Sequence, residues 1–423
     1  MIAKVLAPRN LTIARNKVIA NKGAAGIDGM GVEALTTYIS KNRCKTVNQI
    51  LTRSYKAKAI KGVSILKGQG TTRLLGIPTV VDRWLQQAVS QQLAIYFELD
   101  FEAESYGFRP NKNTQQAVLQ SQKYINTGYQ DIVDIDLKGF FDQVPHYKLL
   151  QLIYHKVNCP TTLWLIRKWL RSPIDIKGKL RKRRKGIPQG SPLSPLLSNI
   201  LLDQLDKYLK YKGYRFIRYA DDFSVYTRSK SQAKVISNTI YRFLSDKLNL
   251  PINRAKSGIR RPSTFKILGH RFVPIYKKGN KGQYQIVVDA KAWQTFKRKL
   301  KYLTKKTLPL SINERLQRLK LVYRGWLNNF RLGHIEGKLK KLDNWLRNRL
   351  RYCIWNDWKK PERKRKNLIR LGVEKGQAYA WSRTRMGGWA VAQSPILKTT
   401  ITMKRLKQRG YECMLDYYQK VKF

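Results

Sequence analysis

Two adjacent carboxylates, Asp221 and Asp222, lie between two runs of β-favouring residues, and this pattern constrains the segment to a hairpin. The first run, residues 215–218, reads Arg-Phe-Ile-Arg, and the second, residues 223–226, reads Phe-Ser-Val-Tyr. A hairpin turn would hold both carboxylates at a rigid tip, where like charges repel unless a cation lies between them. Oxygen ligands of this kind suit Mg²⁺. The pair therefore indicates half of a divalent-metal site, while an exposed Asp-Asp turn without a metal is the alternative that it leaves open.

A third carboxylate is available in the segment 131–137, which alternates like a strand before the chain changes to a helical period. Alternation places Asp134 and Asp136 on the same face, so spacing alone does not choose between them. Asp136 is nearer the end of the strand, where a ligand can reach a cleft. With Asp221 and Asp222 it would supply shared carboxylates for two metal ions about 4 Å apart at a phosphoryl group. The chemistry predicted is in-line nucleotidyl transfer.

Three segments of the chain, in this order and separation, resemble successive motifs of the reverse transcriptase palm. They are residues 136–141 (DLKGFF), 186–195 (GIPQGSPLSP) and 219–222 (YADD). More narrowly, nearly the whole chain is similar to bacterial group II intron-encoded reverse transcriptase/maturases, of the compact type without a C-terminal endonuclease domain. In that family the first Asp of the first motif and both Asp of the third are the catalytic metal ligands. The resemblance therefore selects Asp136 over Asp134.

The resemblance also assigns residues to the nucleotide. Lys67 and Arg73 flank a glycine-rich hairpin turn, where cations can neutralise triphosphate oxygens. Phe141 has the place of the steric gate that excludes a ribose 2′-hydroxyl. Gln189 can hydrogen-bond the nucleotide sugar or base, and Lys256 can act as a charge partner or general acid for pyrophosphate. On spacing alone, an ordinary exposed cation is the alternative for Lys67, Arg73 and Lys256, and a core side chain is the alternative for Phe141.

Four further residues are predicted to contact nucleic acid. Arg109 resembles a family residue near the nucleotide, and Gly190 would let the backbone approach the template closely. Arg181 and Arg183 belong to a dense basic run, residues 179–185, which would hold a phosphate backbone near the site. A solvated loop is the ordinary alternative for such a run.

The charge balance predicts the class of partner. The chain has 85 Lys and Arg against 26 Asp and Glu, a net charge of +59, and such a field attracts nucleic acid. An anionic membrane is the alternative, but no apolar run approaches the roughly 18 residues of a spanning helix. The four cysteines form no Cys-x-x-Cys pair and the four histidines do not cluster, which argues against disulfides and zinc. We expect a cytoplasmic, bacterial, nucleic-acid-associated protein that does not bind membranes.

The expected fold is α+β: a right-hand polymerase with fingers and a palm built on an antiparallel sheet, then an α-helical thumb and a mainly helical maturase domain. The expected bounds are 1–60 for an N-terminal extension and the start of the fingers, 61–290 for fingers and palm, 291–360 for the thumb and 361–423 for the maturase domain. Amphipathic helices with basic flanks replace strands from about residue 292. The last segment interleaves cations with aromatic residues, a composition that suits phosphates and unpaired bases.

The resemblance implies an RNA-directed DNA polymerase that uses two Mg²⁺ ions and also binds its intron RNA to promote splicing and mobility. The implied partners are group II intron RNA, an RNA template with a DNA or RNA primer, dNTPs and target DNA. One alternative is the reverse transcriptase of another bacterial retroelement or of a defence system, against which the maturase-like C-terminal segment argues. The other is an RNA-binding splicing cofactor without polymerase activity, for which three matched carboxylates would have no use.

Overall fold

The computed structural model describes residues 1–67, 71–276 and 282–422. The chain forms two compact units, Met1–Arg261 and Pro262–Phe423. The predicted bounds at residues 60, 290 and 360 stay predictions.

The first unit mixes helices with two sheets. Its elements are α1 (Ile2–Leu6), α2 (Pro8–Ala20), α3 (Leu35–Leu51), β1 (Ile60–Lys67), β2 (Thr71–Ile77), α4 (Val80–Phe97), α5 (Thr114–Asn126), β3 (Asp131–Ile135), α6 (Phe140–Gln143), α7 (His146–Val157), α8 (Pro160–Arg171), β4 (Ile174–Ile176), β5 (Lys179–Arg181), α9 (Ser194–Tyr211), β6 (Arg215–Tyr219), β7 (Asp222–Thr227), α10 (Lys230–Arg242) and β8 (Gly258–Arg260).

The sheet that positions the candidate site has the strand order β6-β7-β3-β8, and its neighbouring strands are antiparallel. Its apolar side chains, among them Val133, Phe216 and Val225, are buried in the core of the first unit. Helix α9 contributes Leu201 and Leu205, which are four residues apart and so lie on the same face of the helix, to the same core. The antiparallel sheet of the predicted α+β fold is therefore present.

A second sheet, of order β2-β1-β4-β5, carries the predicted nucleotide-binding hairpin. Strands β1 and β2 pair antiparallel, with Ile65 opposite Arg73, and β1 pairs parallel with β4. Strand β5 pairs with β4 and ends at Arg181. This sheet joins the hairpin to the strand that opens the basic run.

The second unit combines a small antiparallel sheet with helices. Its elements are β9 (Lys266–Ile267), β10 (His270–Pro274), β11 (Tyr284–Val288), α11 (Ala290–Leu303), α12 (Ile312–Phe330), α13 (Glu336–Asp357), α14 (Pro361–Arg370), α15 (Lys375–Ser382), α16 (Gly388–Gln393), α17 (Pro395–Thr400), α18 (Met403–Gln408) and α19 (Met414–Val421).

One core runs through the helices of the second unit. Leu346 of α13, Leu368 of α14 and Tyr418 of α19 belong to the same buried cluster. The buried carboxylate of Asp343 accepts hydrogen bonds from the Tyr411 hydroxyl at 2.8 Å and from the backbone at the start of α19. These contacts join the predicted thumb and maturase segments into one packed body.

Within the described ranges, no helix combines the length and apolarity needed to cross a membrane. The four cysteines, Cys44, Cys159, Cys353 and Cys413, are free thiols.

Candidate active site

The two acidic residues lie at the turn between β6 and β7. Tyr219 pairs with Asp222, so Ala220 and Asp221 form a two-residue turn. Ala220 has a φ of +57°, in the left-handed region that costs a residue with a Cβ about 1–2 kcal/mol. Such strain persists where the surrounding structure holds it, and it is common at functional sites.

The register of the sheet brings Asp136 to this turn. Ile135, the last residue of β3, is opposite Phe223 of β7. In an antiparallel pair the next positions, Asp136 and Asp222, continue side by side. The three predicted carboxylates therefore come from the end of β3 and from the β6–β7 turn, which lie side by side at the same end of the sheet.

Asp134 and Asp136, which spacing does not distinguish, have different surroundings. The Asp134 carboxylate forms an ion pair of 2.7 Å with Arg260, and burial raises the pKa of this carboxyl while Arg260 opposes the increase. The Asp136 side chain lies beyond the strand and is 34% exposed. The Asp134 side chain is 30% exposed, so exposure does not separate the two residues. Asp136 differs because it lies past the end of β3, next to Asp222 in the register, and its role as the ligand stays a prediction.

The donor set fits a hard cation. Asp221 is half-buried and Asp222 is exposed, and all three residues offer carboxylate oxygens. Among the residues that the structure describes, no group of three or more His, Cys, Asp or Glu side chains is arranged to hold a metal ion. The protein therefore does not supply a closed coordination sphere. Magnesium usually takes one or two carboxylates together with substrate phosphates and water, which is the kind of site these residues could form.

A loop that follows α10 wraps around Asp136. The Asn253 side chain donates from Nδ2 to Asp136 Oδ2 at 2.8 Å, and its backbone N–H donates to the Asp136 carbonyl at 2.8 Å. The Asp136 N–H donates to Ser257 Oγ at 3.0 Å. Lys256 is exposed, with Nζ 3.9 Å from Asp136 Oδ2. From this loop the sequence predicted Lys256 and not Asn253. The position of Asn253 directly after residues 250–252, a strand-like segment, was a signal that could have identified it.

The second palm-like motif, residues 186–195, connects the first motif, residues 136–141, to the β1–β2 hairpin. Ile187 N–H donates to the Phe141 carbonyl at 2.7 Å, and Gly76 N–H donates to the Gln189 carbonyl at 2.8 Å. Gly190 has a φ of +122°, and a Cβ there would lie 2.7 Å from the Gly76 carbonyl oxygen. Only glycine fits this close crossing.

The predicted nucleotide contacts have the following positions. The ring of Phe141 is half-buried and meets Phe140 edge-on at a centroid distance of 5.4 Å. Gln189 is half-buried, and Arg73 is exposed on β2, the strand that contacts the Gln189 loop. The Lys67 side chain lies outside the described residues.

Two of the predicted nucleic-acid contacts point inward. Arg109 has a side chain only 7% exposed, and it binds the Glu98 carboxylate and the carbonyls of Glu102 and Ser105. Arg183 donates from Nη2 to the Gly186 carbonyl at 2.7 Å, and burial lowers the pKa of its guanidinium. Contact with nucleic acid stays a prediction for both, and this geometry does not favour it.

Arg181 and Gly190 lie at the surface. Arg181 is exposed at the end of β5. Gly190 is exposed where the second motif crosses β2. Their positions are accessible to a template.

Comparison with protein families gives two matches. The model for reverse transcriptase (RNA-dependent DNA polymerase) matches residues 65–272. The model for the group II intron maturase-specific domain matches residues 293–372. The first match contains all three motifs of the candidate site, and the second lies in the helical unit.

Curated relatives include proteins encoded by introns. Protein YkfC of Escherichia coli is 28% identical, over 68% of this chain and 86% of that protein. The putative COX1/OXI3 intron 2 protein of Saccharomyces cerevisiae is 30% identical, over 57% of this chain and 28% of that protein. The group II intron-encoded protein LtrA of Lactococcus lactis subsp. cremoris is 32% identical, over 51% of this chain and 36% of that protein. The matches to the two intron proteins therefore span about a third of their length.

Proposed function

The chain belongs to the group II intron-type reverse transcriptase/maturase family, and from this membership we propose that it copies RNA into DNA and binds a group II intron RNA. The observation that carries the polymerase proposal is the sheet register, which sets Asp136 beside the turn that bears Asp221 and Asp222. The proposed substrates are dNTPs and an RNA template with a DNA or RNA primer. Intron RNA and target DNA are the other proposed partners.

In the proposed reaction, Asp136, Asp221 and Asp222 would hold two Mg²⁺ ions together with substrate phosphates and water. Bound Mg²⁺ would activate the primer 3′-hydroxyl and neutralise charge on the leaving pyrophosphate. Asn253 orients the Asp136 carboxylate through the 2.8 Å hydrogen bond. The exposed ammonium of Lys256, with Nζ 3.9 Å from Asp136 Oδ2, is proposed to give charge or a proton to the departing pyrophosphate.

The neighbouring segments would bind the incoming nucleotide. Arg73, with Lys67, is proposed to pair with triphosphate oxygens from the hairpin. The ring of Phe141 would occupy the space of a ribose 2′-hydroxyl and would not form a hydrogen bond with it. Gln189 and Gly190 lie on the loop that crosses β2, which supports their proposed contacts with the nucleotide and the template.

The second unit offers a surface for RNA. Helix α14 exposes Arg363, Lys366 and Arg370. On α15, Tyr379 is 50% exposed, and the Arg383 guanidinium lies 3.9 Å from the centroid of its ring. Exposed cations bind phosphates, and an exposed ring beside a guanidinium can stack on an unpaired base.

The polymerase proposal is tested by paired substitutions in β3 and just beyond it. We expect Asp136→Asn to reduce extension of a DNA primer on an RNA template to about 1% or less of wild type, since it removes charge at the reacting phosphate. Asp134→Asn is the matched control, because Asp134 is engaged by Arg260. Equal losses in the two purified variants would contradict the assignment of Asp136.

The RNA proposal is tested with substitutions of exposed side chains. Deleting whole helices would not be a clean test, because α14 and α19 share a core with α13 and their removal would expose that core. Substituting Arg363, Lys366 and Arg370 together by Gln removes three cations. Binding of intron RNA should weaken, and the log-log salt slope should fall by about 2–3 if each cation neutralises one phosphate.

The control for the RNA test is a triple Gln variant at exposed cations of the first unit, Lys230, Lys234 and Lys247. It makes the same change in net charge on the other unit. Equal effects of the two triple variants on affinity and slope would mean that only the overall charge matters, and would refute an α14 interface.

A further inference from the structure

A buried ion pair lies directly behind the acidic turn. Arg218, near the end of β6, and Asp206 of α9 both have fully buried side chains. The Arg218 guanidinium donates from Nε to Asp206 Oδ1 at 2.8 Å and from Nη2 to Oδ2 at 2.5 Å. This two-point contact fixes the plane of the guanidinium.

The remaining nitrogen of the guanidinium reaches the turn itself. Arg218 Nη1 donates to the carbonyl oxygen of Ala220 at 3.0 Å and to Asn199 Oδ1 at 2.9 Å. Asn199 in turn donates from Nδ2 to the Gly107 carbonyl at 2.9 Å. Gly107 packs so closely on the turn that a Cβ there would lie 2.2 Å from the Ala220 nitrogen.

The held carbonyl is the one that immediately precedes Asp221. Since a peptide unit is planar, fixing the Ala220 C=O also fixes the N–Cα bond direction of Asp221, from which its carboxylate projects. Ala220 has the strained φ of +57°, so the turn needs an external contact to keep this conformation.

A buried ion pair is a costly way to gain stability, because desolvation offsets the attraction, and apolar residues of similar volume often replace it without loss. The stability of the sheet therefore does not explain why this pair lies here. A fixed guanidinium does explain how the turn is kept in one conformation.

We propose that Arg218 is a positioning residue, locked by Asp206 and Asn199, that orients the Asp221 carboxylate through the Ala220 carbonyl and so sets the affinity of the site for Mg²⁺. This rests on the proposed function of the acidic residues. Arg218 touches neither substrate nor metal, and it acts through the turn.

The test replaces the ion pair as a unit, with Arg218→Met and Asp206→Leu together, so that neither charge is left buried alone. We expect the variant to fold with a lowered melting temperature, because the buried Ala220 carbonyl and Asn199 Oδ1 lose their donor, and to bind primer–template with an affinity near wild type. The Mg²⁺ concentration for half-maximal primer extension should rise roughly tenfold, the effect of losing one charge-assisted hydrogen bond. A merely structural pair would not move this metal dependence.

A matched control exists on the same helix. Asp203 and Lys207 form an i,i+4 ion pair of 2.6 Å. Replacing them together by Leu and Met should leave the Mg²⁺ dependence unchanged.

An unchanged Mg²⁺ dependence in the folded Arg218/Asp206 variant overturns the inference, and so does an equal shift in the control. If that variant does not fold, Asn199→Ala decides, since it leaves the ion pair and removes one restraint on Nη1. A rise of about threefold is then expected, and no change overturns the inference. Absence of extension by the wild-type chain at every Mg²⁺ concentration would instead refute the proposed function.

Discussion

Substituting Asn253 by Leu should slow DNA synthesis without unfolding the protein. Leu has the same number and branching of side-chain heavy atoms as Asn but cannot donate to Asp136 Oδ2, the acceptor of a 2.8 Å bond. The backbone bond from residue 253 to the Asp136 carbonyl would be kept, so the loop retains its attachment. The change therefore isolates the orientation of one carboxylate.

The size of the effect follows from that contact. A hydrogen bond to a charged group contributes about 1.5–3 kcal/mol, and the Asp136 side chain is 34% exposed, so water recovers part of the loss. A remaining cost of about 1.4 kcal/mol at the transition state corresponds to a tenfold lower kcat. Steady-state primer extension at saturating dNTP and Mg²⁺ measures it.

Ser257→Ala is the comparison for Asn253→Leu. It removes the acceptor of the Asp136 backbone N–H and leaves the carboxylate contact intact. We expect its kcat to stay within about threefold of wild type. A kcat for Asn253→Leu equal to that of wild type, or a larger loss in Ser257→Ala, would refute the positioning role of Asn253.

Three further outcomes are expected. Phe141→Ala should increase incorporation of ribonucleotides relative to dNTPs in competition assays, and unchanged discrimination would make Phe141 a packing residue only. Gly190→Ala should lower the free energy of unfolding, measured by denaturant titration, by about 1–3 kcal/mol more than Gly178→Ala does. Both residues have positive φ, but only a Cβ at residue 190 meets a backbone oxygen. Equal losses in the two variants would contradict the close crossing. Burial lowers the pKa of His270 to about 4, so stability should be full above about pH 6.5 and fall on the order of 3 kcal/mol as the pH decreases to about 4. In His270→Gln this part of the pH dependence should vanish in thermal melts, and its persistence would assign it to another group.

The hairpin and its acidic turn were predictable because they depend on local patterns. Two β-favouring runs around Asp221 and Asp222 predicted the strands that the structure has. Alternation predicted Asp134 and Asp136 on one face of a strand and could not separate them, whereas in the structure β3 ends at Ile135 and Asp136 lies just past it. Their distinction depends on Arg260, which pairs with Asp134 from a distant part of the sequence.

The comparisons confirm the predicted family and the enzyme class, an RNA-directed DNA polymerase. The contacts that support the candidate site were not predictable from local patterns. Asn253 meets Asp136 across 117 positions of sequence, and Asn199 meets Gly107 across 92. No periodicity encodes such pairs, because tertiary packing creates them.

For Arg109 the sequence predicted a nucleic-acid contact that the geometry of the structure does not favour. In the sequence it is a loop arginine near a palm motif, where a nucleic-acid contact is a natural expectation. In the structure its guanidinium binds the carboxylate of Glu98 and nearby carbonyls, and it stabilises the loop that contains Gly107. A single sequence does not reveal whether an arginine points outward or inward.

The most direct test of the account is to measure DNA synthesis and RNA binding on one preparation of Asp221→Asn. The substitution removes a carboxylate charge from the turn and leaves the basic surface of the second unit unchanged. We predict primer extension on an RNA template at about 1% or less of wild type and an unchanged dissociation constant for group II intron RNA. Substantial extension by the pure variant would contradict the metal-binding role of the turn and, with it, the proposed reaction.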